Sequence, residues 1–282
     1  NQKLIARLKE LEVDHLDAII CSHPDEDHCG GLSAVLASTR TDAFYCSVDS
    51  WHTKAFSDVT KYVEQQGISV TVPQAGDSFA FGEASVEFLG PVEDYGDDPN
   101  EGSLVARVRY GETSFLFTGD MGFEAEDDML AAGVDVSATV LKVAHHGSAG
   151  SSSTEFLQAV HPQYAVISVG TDNDYGHPTE AALNRLAACG IPVYRTDLLG
   201  EIIAVSDGKT VTITSASNEA PPASDAASQT TGSYGYVGNS SSKVVHLAGC
   251  GKLPEESNRV YFASLDEALA AGYRKHASCL GS

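Results

Sequence analysis

The segment from residue 22 to residue 31 carries a dense group of side chains that can bind metal ions. Six consecutive positions hold two imidazoles and two aspartates, at His23, Asp25, Asp27 and His28. On an extended loop, alternate residues point the same way, so these side chains could face one point. Carboxylates and imidazoles that converge there without Lys or Arg repel one another unless a cation lies between them. The spacing therefore predicts a metal-binding loop, and the alternative is a polar surface loop that caps a helix.

Further side chains of this kind follow apolar segments that predict strands. Asp120 follows such a segment, and so does the pair His145 and His146, whereas His177 lies in a loop beyond a third segment. Rigid strands position the loops that follow them, so we expect all of these residues at one edge of the fold.

Apolar periodicity predicts alternating helices and strands along the first 215 residues, with helices where the period is 3.6 and strands where the run is short. The predicted helices are 31–38, 52–66, 123–132, 154–160 and 179–188, and the predicted strands are 17–21, 43–46, 69–72, 86–90, 104–110, 114–118, 139–143, 164–168 and 193–195, with a closing hairpin 202–205/210–214. The mixture of hairpins and strand–helix–strand units predicts the α+β class, with two sheets and helices outside them.

The motifs also occur in the order of a known fold. The segment 23–31 reads HxDxDHxGG and resembles the metal loop HxHxDH of the metallo-β-lactamase fold, in the variant found in the hydrolase domain of ComEC-type DNA-uptake proteins. Segments 115–120, 141–148 (HHGS at its end), 175–178 (YGHP) and 194–197 follow in the matching order. The resemblance implies an αββα sandwich. Its usual N-terminal strands are missing here and the chain begins at Asn1, so we expect a truncated sequence or an open sheet edge.

The resemblance further implies which residues form the site. The expected metal ligands are His23, Asp25, Asp27, His28, Asp120 and His145, and the expected catalytic residues are Asp27, His145, His146 and His177. One histidine of the 145–146 pair could instead contact phosphate or act as a general acid, and His177 could simply mark a helix entrance. Ser148 and Asn100 are expected to bind substrate, although the serine could belong to a plain flexible loop.

The implied cofactors are two divalent ions, Zn or Mn, which in such sites lie about 3.5–4 Å apart and hold a bridging hydroxide, the expected nucleophile. Asp25 stands where the commoner pattern has His, and this oxygen ligand favours Mn without excluding Zn.

The end of the chain predicts a separate small module. Residues 215–235 have linker composition, rich in Ser, Ala, Thr and Pro, which divides the chain into a hydrolase domain 1–214, a linker and a module 236–282. So small a module seldom folds without a metal or a disulfide. Its two ligand pairs have the spacing of a structural zinc site, formed by His246, Cys250, His276 and Cys279.

The module is similar to the Ada-type zinc-binding domain, whose stretch FxSxxEAxxxGY it matches over residues 262–273. In that domain four cysteines bind the zinc, and the first of them accepts a methyl group from DNA. Because His246 stands at that position, we expect zinc-held structure and contact with a DNA backbone, but no methyl transfer.

Charge and hydropathy limit the possible functions. The net charge is −22, yet residues 236–282 hold five basic and four acidic residues, against 12 and 35 in the rest of the chain. This balance excludes broad electrostatic binding of nucleic acid but allows DNA as a local substrate. No apolar run reaches the roughly 18 residues of a membrane span, and the compartment, cytoplasmic or secreted, is left open.

We therefore predict a metal-dependent phosphodiesterase or nuclease that acts on DNA. The alternatives are a DNA- or partner-binding protein whose lactamase-like domain is a non-catalytic scaffold, and a hydrolase of a small ester or phosphodiester.

Overall fold

The computed structural model describes residues 2–217, 236–247, 252–255, 258–262 and 265–280. The chain divides into two compact units, each described by itself: Asn1–Val108 with Phe117–Val134, and Arg109–Leu116 with Asp135–Ser282. Among the described residues, no helix combines the length and apolar character that crossing a membrane requires.

The first unit carries five helices among the residues described. These are α1 (Gln2–Glu10), α2 (Glu26–Cys29), α3 (Leu32–Ser38), α4 (Lys54–Gln65) and α5 (Phe123–Ala131). Helix α4 begins at an N-cap, Thr53, whose side chain accepts a hydrogen bond from the backbone of Phe56. The apolar stripe of this helix, Phe56, Val59 and Val63, is fully buried and forms the core of the unit together with α3.

The strands of the first unit form two main groups. They are β1 (His15–Leu16), β2 (Ile19–Cys21), β3 (Arg40–Thr41), β4 (Phe44–Cys46), β5 (Val70–Thr71), β6 (Ser78–Phe81), β7 (Ala84–Gly90) and β8 (Val105–Tyr110). Strands β2, β4 and β5 form a parallel sheet in that order, with Ile19 opposite Phe44. Strands β6 and β7 pair antiparallel, and β8 lies next to β7.

The second unit continues the alternation of strands and helices. Its elements up to residue 215 are β9 (Thr113–Phe117), β10 (Val140–Lys142), a 3-10 turn (Ala144–Gly147), α6 (Thr154–Val160), β11 (Tyr164–Ile167), α7 (Glu180–Ala188), β12 (Val193–Arg195), α8 (Thr196–Leu199), β13 (Ile202–Ser206) and β14 (Val211–Ser215). Strands β10, β11 and β12 are parallel neighbours, and β13 pairs with β14 as the predicted hairpin. The 3-10 turn and the loop before α7 both follow the carboxyl ends of parallel strands.

The C-terminal segments of the second unit form a small sheet with two short helices. They are β15 (Tyr236–Asn239), β16 (Val244–Leu247), β17 (Arg259–Phe262), α9 (Leu265–Ala270), β18 (Arg274–Lys275) and α10 (Ala277–Leu280), with strand order β17-β15-β16-β18. Val245, Phe262 and Tyr273 lie in a core of only a few buried side chains. The predicted boundaries at residues 214 and 235 stay predictions, since residues 218–235 lie outside those described.

The structure corrects one step of the sequence reasoning about the metal loop. An extended loop through Asp27 was predicted, and this is wrong, because the chain is helical from Glu26 to Cys29. Asp25 occupies the extended N-cap position, and its carbonyl accepts hydrogen bonds from the backbone of His28 and Cys29. Acidic residues in the first turn of a helix are stabilised by the helix dipole, which favours a helix at this position.

Candidate metal-binding sites

Five predicted ligands converge in the first unit. The Nε2 atom of His28 lies 3.2 Å from a carboxylate oxygen of Asp120 and 3.6 Å from one of Asp27, and Nε2 of His23 lies 3.8 Å from the carboxylate of Asp25. The two imidazole rings have centroids 4.1 Å apart. His23 is fully buried and Asp120 is only 3% exposed. We call these five residues the carboxylate–histidine cluster.

The cluster has the composition and spacing of a cation site. Ligand atoms of Asp27, His28 and Asp120 all lie within 4.8 Å of one another. The two carboxylates of this group would raise the free energy of the folded state through repulsion unless a cation is shared between them. Carboxylate oxygen and imidazole nitrogen are ligands of Mn, Fe and Zn. The residues present therefore fit a divalent metal.

Two serine hydroxyls orient the histidine rings of the cluster. Ser22 Oγ lies 3.1 Å from Nδ1 of His23 and 3.2 Å from Nδ1 of His28, and Ser103 Oγ lies 3.3 Å from Nδ1 of His23. A hydroxyl oxygen has two acceptor lone pairs, so Ser22 can accept the Nδ1 protons of both rings. Ser103 also accepts a hydrogen bond from the backbone N–H of Asp120, at 3.0 Å. In the tautomer in which both rings donate from Nδ1, both Nε2 atoms are available as metal ligands.

Sequence reasoning missed both serines. Ser103 lies three residues after Asn100, which was the residue of this segment predicted to bind substrate. That residue is part of a turn, in which its backbone N–H donates to the carboxylate of Asp98 and its carbonyl accepts from Ser103. Substrate binding by Asn100 stays a prediction.

Close packing around the cluster requires glycine at position 119. Gly119 has a φ of +51°, and a Cβ there would lie 2.7 Å from Ser103 and 2.8 Å from Ser22. Two thiols donate hydrogen bonds to backbone carbonyls of the loop that carries His23. Cys21 donates to the carbonyl of His23 and Cys29 donates to the carbonyl of Pro24, each at 3.1 Å. Burial raises the pKa of Cys29 to about 11, so this thiol keeps the proton that it donates.

Replacing Ser103 with alanine is expected to weaken metal binding. Loss of a group that hydrogen-bonds to a metal ligand typically costs 10–100-fold in metal affinity or activity, and we expect a decrease in this range for Ser103→Ala. Isothermal titration of the chelator-treated protein with Mn²⁺ measures it. Ser38→Ala serves as the control, because Ser38 bonds only to carbonyls of its own helix and to Thr39 among the contacts described. Equal Mn²⁺ affinity in the two variants would contradict the role given to Ser103.

Glu101 holds the segment that follows Asp120. Its carboxylate accepts hydrogen bonds from the backbone N–H groups of Gly122 at 3.1 Å and Ala125 at 2.8 Å, at the start of α5. Burial raises the pKa of this carboxyl group, whereas the two N–H donors act in the opposite direction. The N-cap residue of α5, Gly122, has no capping side chain of its own, so Glu101 supplies the cap from another part of the chain.

We expect Glu101→Ala to lower the free energy of unfolding by about 0.5–2 kcal/mol, the usual cost of losing an N-cap side chain. Urea denaturation measures the change. Glu101→Gln keeps an acceptor oxygen and should retain part of the stability. An alanine variant as stable as the parent protein would show that the cap contributes nothing.

In the second unit, the histidine pair lies in strained backbone. His145 has φ/ψ of 47°/45° and His146 has 52°/21°, both in the left-handed region that few residues other than glycine adopt. Such residues cost about 1–3 kcal/mol each and are concentrated at functional sites. Gly147 continues the turn with a φ of +83°, and a Cβ there would lie 2.6 Å from Pro178. The turn presents two imidazoles at the end of β10.

The structure brings His177 to this pair. The rings of His145 and His177 have centroids 5.6 Å apart, and those of His145 and His146 are 6.4 Å apart. Asn173, which sequence reasoning missed, accepts from the backbone N–H of His177 and donates to its carbonyl. The helix entrance is formed by Thr179, whose hydroxyl caps α7. A catalytic role of His177 stays a prediction.

His146 has the surroundings of a metal-binding histidine. Its Nδ1 lies 2.6 Å from the carbonyl oxygen of Ser168, so Nδ1–H donates and the proton is held on that nitrogen. Metal-binding histidines typically donate their second ring N–H to a carbonyl or carboxylate in this way. This contact favours His146 as a ligand, although the sequence analysis had placed His145 in the ligand set.

A buried arginine fixes the loop that contains Ser148. Arg185, on α7, is fully buried, and its guanidinium donates to the carbonyls of Ala149, Ser151 and Ser152 at 2.7–3.0 Å. Three backbone carbonyls thus accept hydrogen bonds from one guanidinium group. The loop is a set of ordered turns in which Ser148 Oγ accepts from the backbone of Gly150. Substrate binding by Ser148 stays a prediction.

Comparison with known proteins identifies the family. Residues 1–171 match the metallo-beta-lactamase superfamily, which is more than half of the chain. The chain belongs to the metallo-beta-lactamase superfamily. The predicted fold class is thereby confirmed, and members of the superfamily are generally hydrolases.

Relatives of this metallo-beta-lactamase domain include proteins of bacterial competence. It is 31% identical over 199 residues to ComE operon protein 3 of Bacillus subtilis and 35% identical over 200 residues to competence protein ComA of Neisseria gonorrhoeae, in each case over 71% of this chain. It is also 30% identical over 188 residues to recombination protein 2 of Haemophilus influenzae, over 66% of this chain. The matched region spans 26%, 26% and 22% of these three relatives.

Among solved structures, the metallo-beta-lactamase fold of this chain is similar to CmlA, a diiron beta-hydroxylase from Streptomyces venezuelae. The TM-score is 0.46 at 16% sequence identity, and the similarity covers 64% of this chain and 44% of CmlA.

A second candidate site lies in the C-terminal sheet. Ligand atoms of His246, His276 and Cys279 lie within 4.8 Å of one another, and Nδ1 of His276 is 3.3 Å from Sγ of Cys279. His246 is 7% exposed, and among the described residues its buried Nδ1 has no hydrogen-bond partner. Burial, with a smaller effect of the neighbouring His276, lowers the pKa of His246, which favours the neutral imidazole. The fourth predicted ligand, Cys250, lies outside the described residues.

Proposed function

We propose that this chain is a metal-dependent phosphodiesterase that cleaves DNA. The observation that carries the proposal is the carboxylate–histidine cluster, in which Asp120 and His28 are 3.2 Å apart and the Nδ1 atoms of both histidines contact serine hydroxyls. A site of this kind, in a superfamily of hydrolases, supports hydrolysis rather than a structural role.

In the first unit the residues that would hold metal are His23, Asp25, Asp27, His28 and Asp120. In the second unit the candidate ligand is His146, in addition to or in place of His145. The excess of carboxylate oxygen over imidazole nitrogen in the first five favours Mn over Zn. Divalent ions bound there would polarise a phosphoryl oxygen of the substrate and lower the pKa of a bound water molecule.

Side chains of this chain would orient the metal ligands and protonate the leaving oxygen. Ser22 would orient the rings of His23 and His28 through their Nδ1 atoms, and Ser103 contacts Nδ1 of His23 and accepts from the backbone of Asp120. For the histidine pair and His177 we propose one ligand and one general acid that protonates the leaving oxygen. The positive φ of both His145 and His146 supports a functional role for the turn.

Resemblance and relatives support DNA as the substrate. The motifs resemble those of the hydrolase domain of DNA-uptake proteins, and the relatives carry names that refer to competence and recombination. The acidity of the chain does not prevent this, because bound cations would offset the negative charge locally.

The proposal is tested by substrate choice. Purified protein with Mn²⁺ or Zn²⁺ is offered single-stranded DNA, double-stranded DNA, bis-nitrophenyl phosphate and nitrophenyl acetate. Cleavage of DNA is the expected result. Turnover of the acetate alone would indicate a small-ester hydrolase, and absence of turnover with every substrate and ion would indicate a non-catalytic scaffold; either outcome would overturn the proposal.

We also propose that His246, Cys250, His276 and Cys279 bind one structural zinc ion. The proximity of the three described ligands and the buried Nδ1 of His246 support it. Mixed thiolate and imidazole ligands are typical of structural zinc, which supplies folding free energy to units with small cores.

A further inference from the structure

An exposed aromatic ring stands beside the histidines of the second unit. Tyr175 is 84% exposed, the highest value among the exposed large hydrophobic residues described. Its ring stacks on that of His177 with centroids 5.9 Å apart and an angle of 27° between the planes. The ring of His177 in turn meets His145 edge-on at 5.6 Å and 84°. Three rings therefore form a row that begins at the strained histidine turn and ends in solvent.

The loop that carries Tyr175 is held in place. Gly176 has a φ of +70°, which turns the chain between the tyrosine and His177. Two hydrogen bonds from the side chain of Asn173 fix the backbone of His177. One face of the tyrosine ring rests on His177, and its high exposure leaves the opposite face to solvent.

The acidic residues that precede this ring in sequence disfavour a phosphate group as its partner. Asp172 and Asp174 precede the tyrosine in sequence, and the chain outside residues 236–282 is strongly acidic. A phosphate group would be repelled there. A nucleobase is uncharged and stacks on aromatic rings, an interaction worth about 1–3 kcal/mol per base. Stacking thus offers DNA affinity that does not depend on basic residues.

We propose that Tyr175 is a stacking platform for an unpaired nucleobase of the DNA substrate. This inference rests on the proposed function, and it names the substrate class as single-stranded DNA, because the faces of paired bases in a duplex are already covered by their neighbours. The tyrosine acts on binding and not on bond cleavage. It determines which strands are held beside His145 and His177.

Steady-state kinetics test this role in the full-length protein with Mn²⁺. Tyr175→Ala is expected to raise KM for a single-stranded oligonucleotide by about 5–150-fold, the stacking energy converted at 1.4 kcal/mol per tenfold, and to leave kcat within about twofold. Tyr175→Phe and Tyr175→Trp keep a ring and should keep KM. On a strand whose bases are replaced by abasic residues, the parent protein and the alanine variant should have the same KM. An unchanged KM for Tyr175→Ala on the normal strand would overturn the proposal.

Binding without turnover separates this inference from the proposed function. Trp51 is the only tryptophan in the chain, so the double variant Trp51→Phe/Tyr175→Trp carries a single tryptophan, at the platform, whose fluorescence is excited selectively. In the presence of a chelator, single-stranded DNA should quench its fluorescence and abasic strands should not. Quenching in a protein that cleaves no substrate would support the stacking role of Tyr175 and contradict the proposed hydrolase activity. Equal quenching by both strands, or none by either, would contradict the platform.

If Trp51→Phe does not fold, anisotropy of labelled strands provides the same comparison. The parent protein should bind the normal strand more tightly than the abasic strand, and Tyr175→Ala should lose this difference. A difference of the same size in both proteins would contradict the role of Tyr175.

Discussion

Asp120→Ala is expected to abolish hydrolysis and to remove most of the metal affinity of the first unit. The carboxylate is buried and lies 3.2 Å from Nε2 of His28, so its loss leaves the centre of the cluster without a ligand. Removal of a group that only supports a ligand costs 10–100-fold, and the loss of a ligand should exceed this range. Titration with Mn²⁺ and initial rates on single-stranded DNA measure the two effects.

The matched control is Asp128→Ala in the same unit. Asp128 is half-buried and accepts a hydrogen bond from the hydroxyl of Tyr95, but it belongs to none of the proposed ligand sets. The Asp128→Ala variant should bind Mn²⁺ with the affinity of the parent protein. Asp120→Ala with parent-like Mn²⁺ affinity and rates would show that the cluster is not the metal centre.

Cys279→Ser is expected to remove one zinc ion per chain and to unfold the C-terminal sheet. Structural zinc contributes an apparent 10–16 kcal/mol in zinc-finger peptides, far more than a core built on Val245, Phe262 and Tyr273 can replace. Zinc content by atomic spectroscopy and limited proteolysis within residues 236–282 measure the effect. Activity of the first unit's cluster should persist, since its ligands are separate.

Cys189→Ser is the control for this experiment. Burial raises the pKa of Cys189 to about 11, so this thiol stays protonated at neutral pH and is a poor metal ligand. The variant should keep its zinc and its resistance to proteolysis. Full zinc content in Cys279→Ser would exclude this cysteine from the site, and zinc loss in both variants would show that the effect is not specific to Cys279.

Much of the fold could be predicted because the spacing of apolar residues along the chain indicates which side chains are buried. Helix 154–160 was predicted at its observed bounds, and each strand of the hairpin of β13 and β14 was predicted to within one residue. Strand β6 and helix α8 were missed, since each is only four residues long and little of either is buried. Short exposed segments carry no periodic signal.

The sequence indicated which side chains come together in the candidate site, but not the residues that contact them. His23 and His28 are close in sequence and have the spacing of a motif. Ser22 and Ser103 are ordinary serines separated by 81 positions, and only the fold brings their hydroxyls to one ring. The preference for His146 over His145 also depends on a carbonyl that no spacing predicts, that of Ser168.

The most direct test of the central claim is metal-dependent turnover by the 282-residue chain. Chelator-treated protein is titrated with Mn²⁺ and, separately, with Zn²⁺, and cleavage of single-stranded DNA is followed at each step. We expect no cleavage without metal and a rate that rises with metal and saturates, more strongly with Mn²⁺, and that is lost in Asp120→Ala. Cleavage that is independent of added metal, or no cleavage at saturation with either ion, would contradict the account.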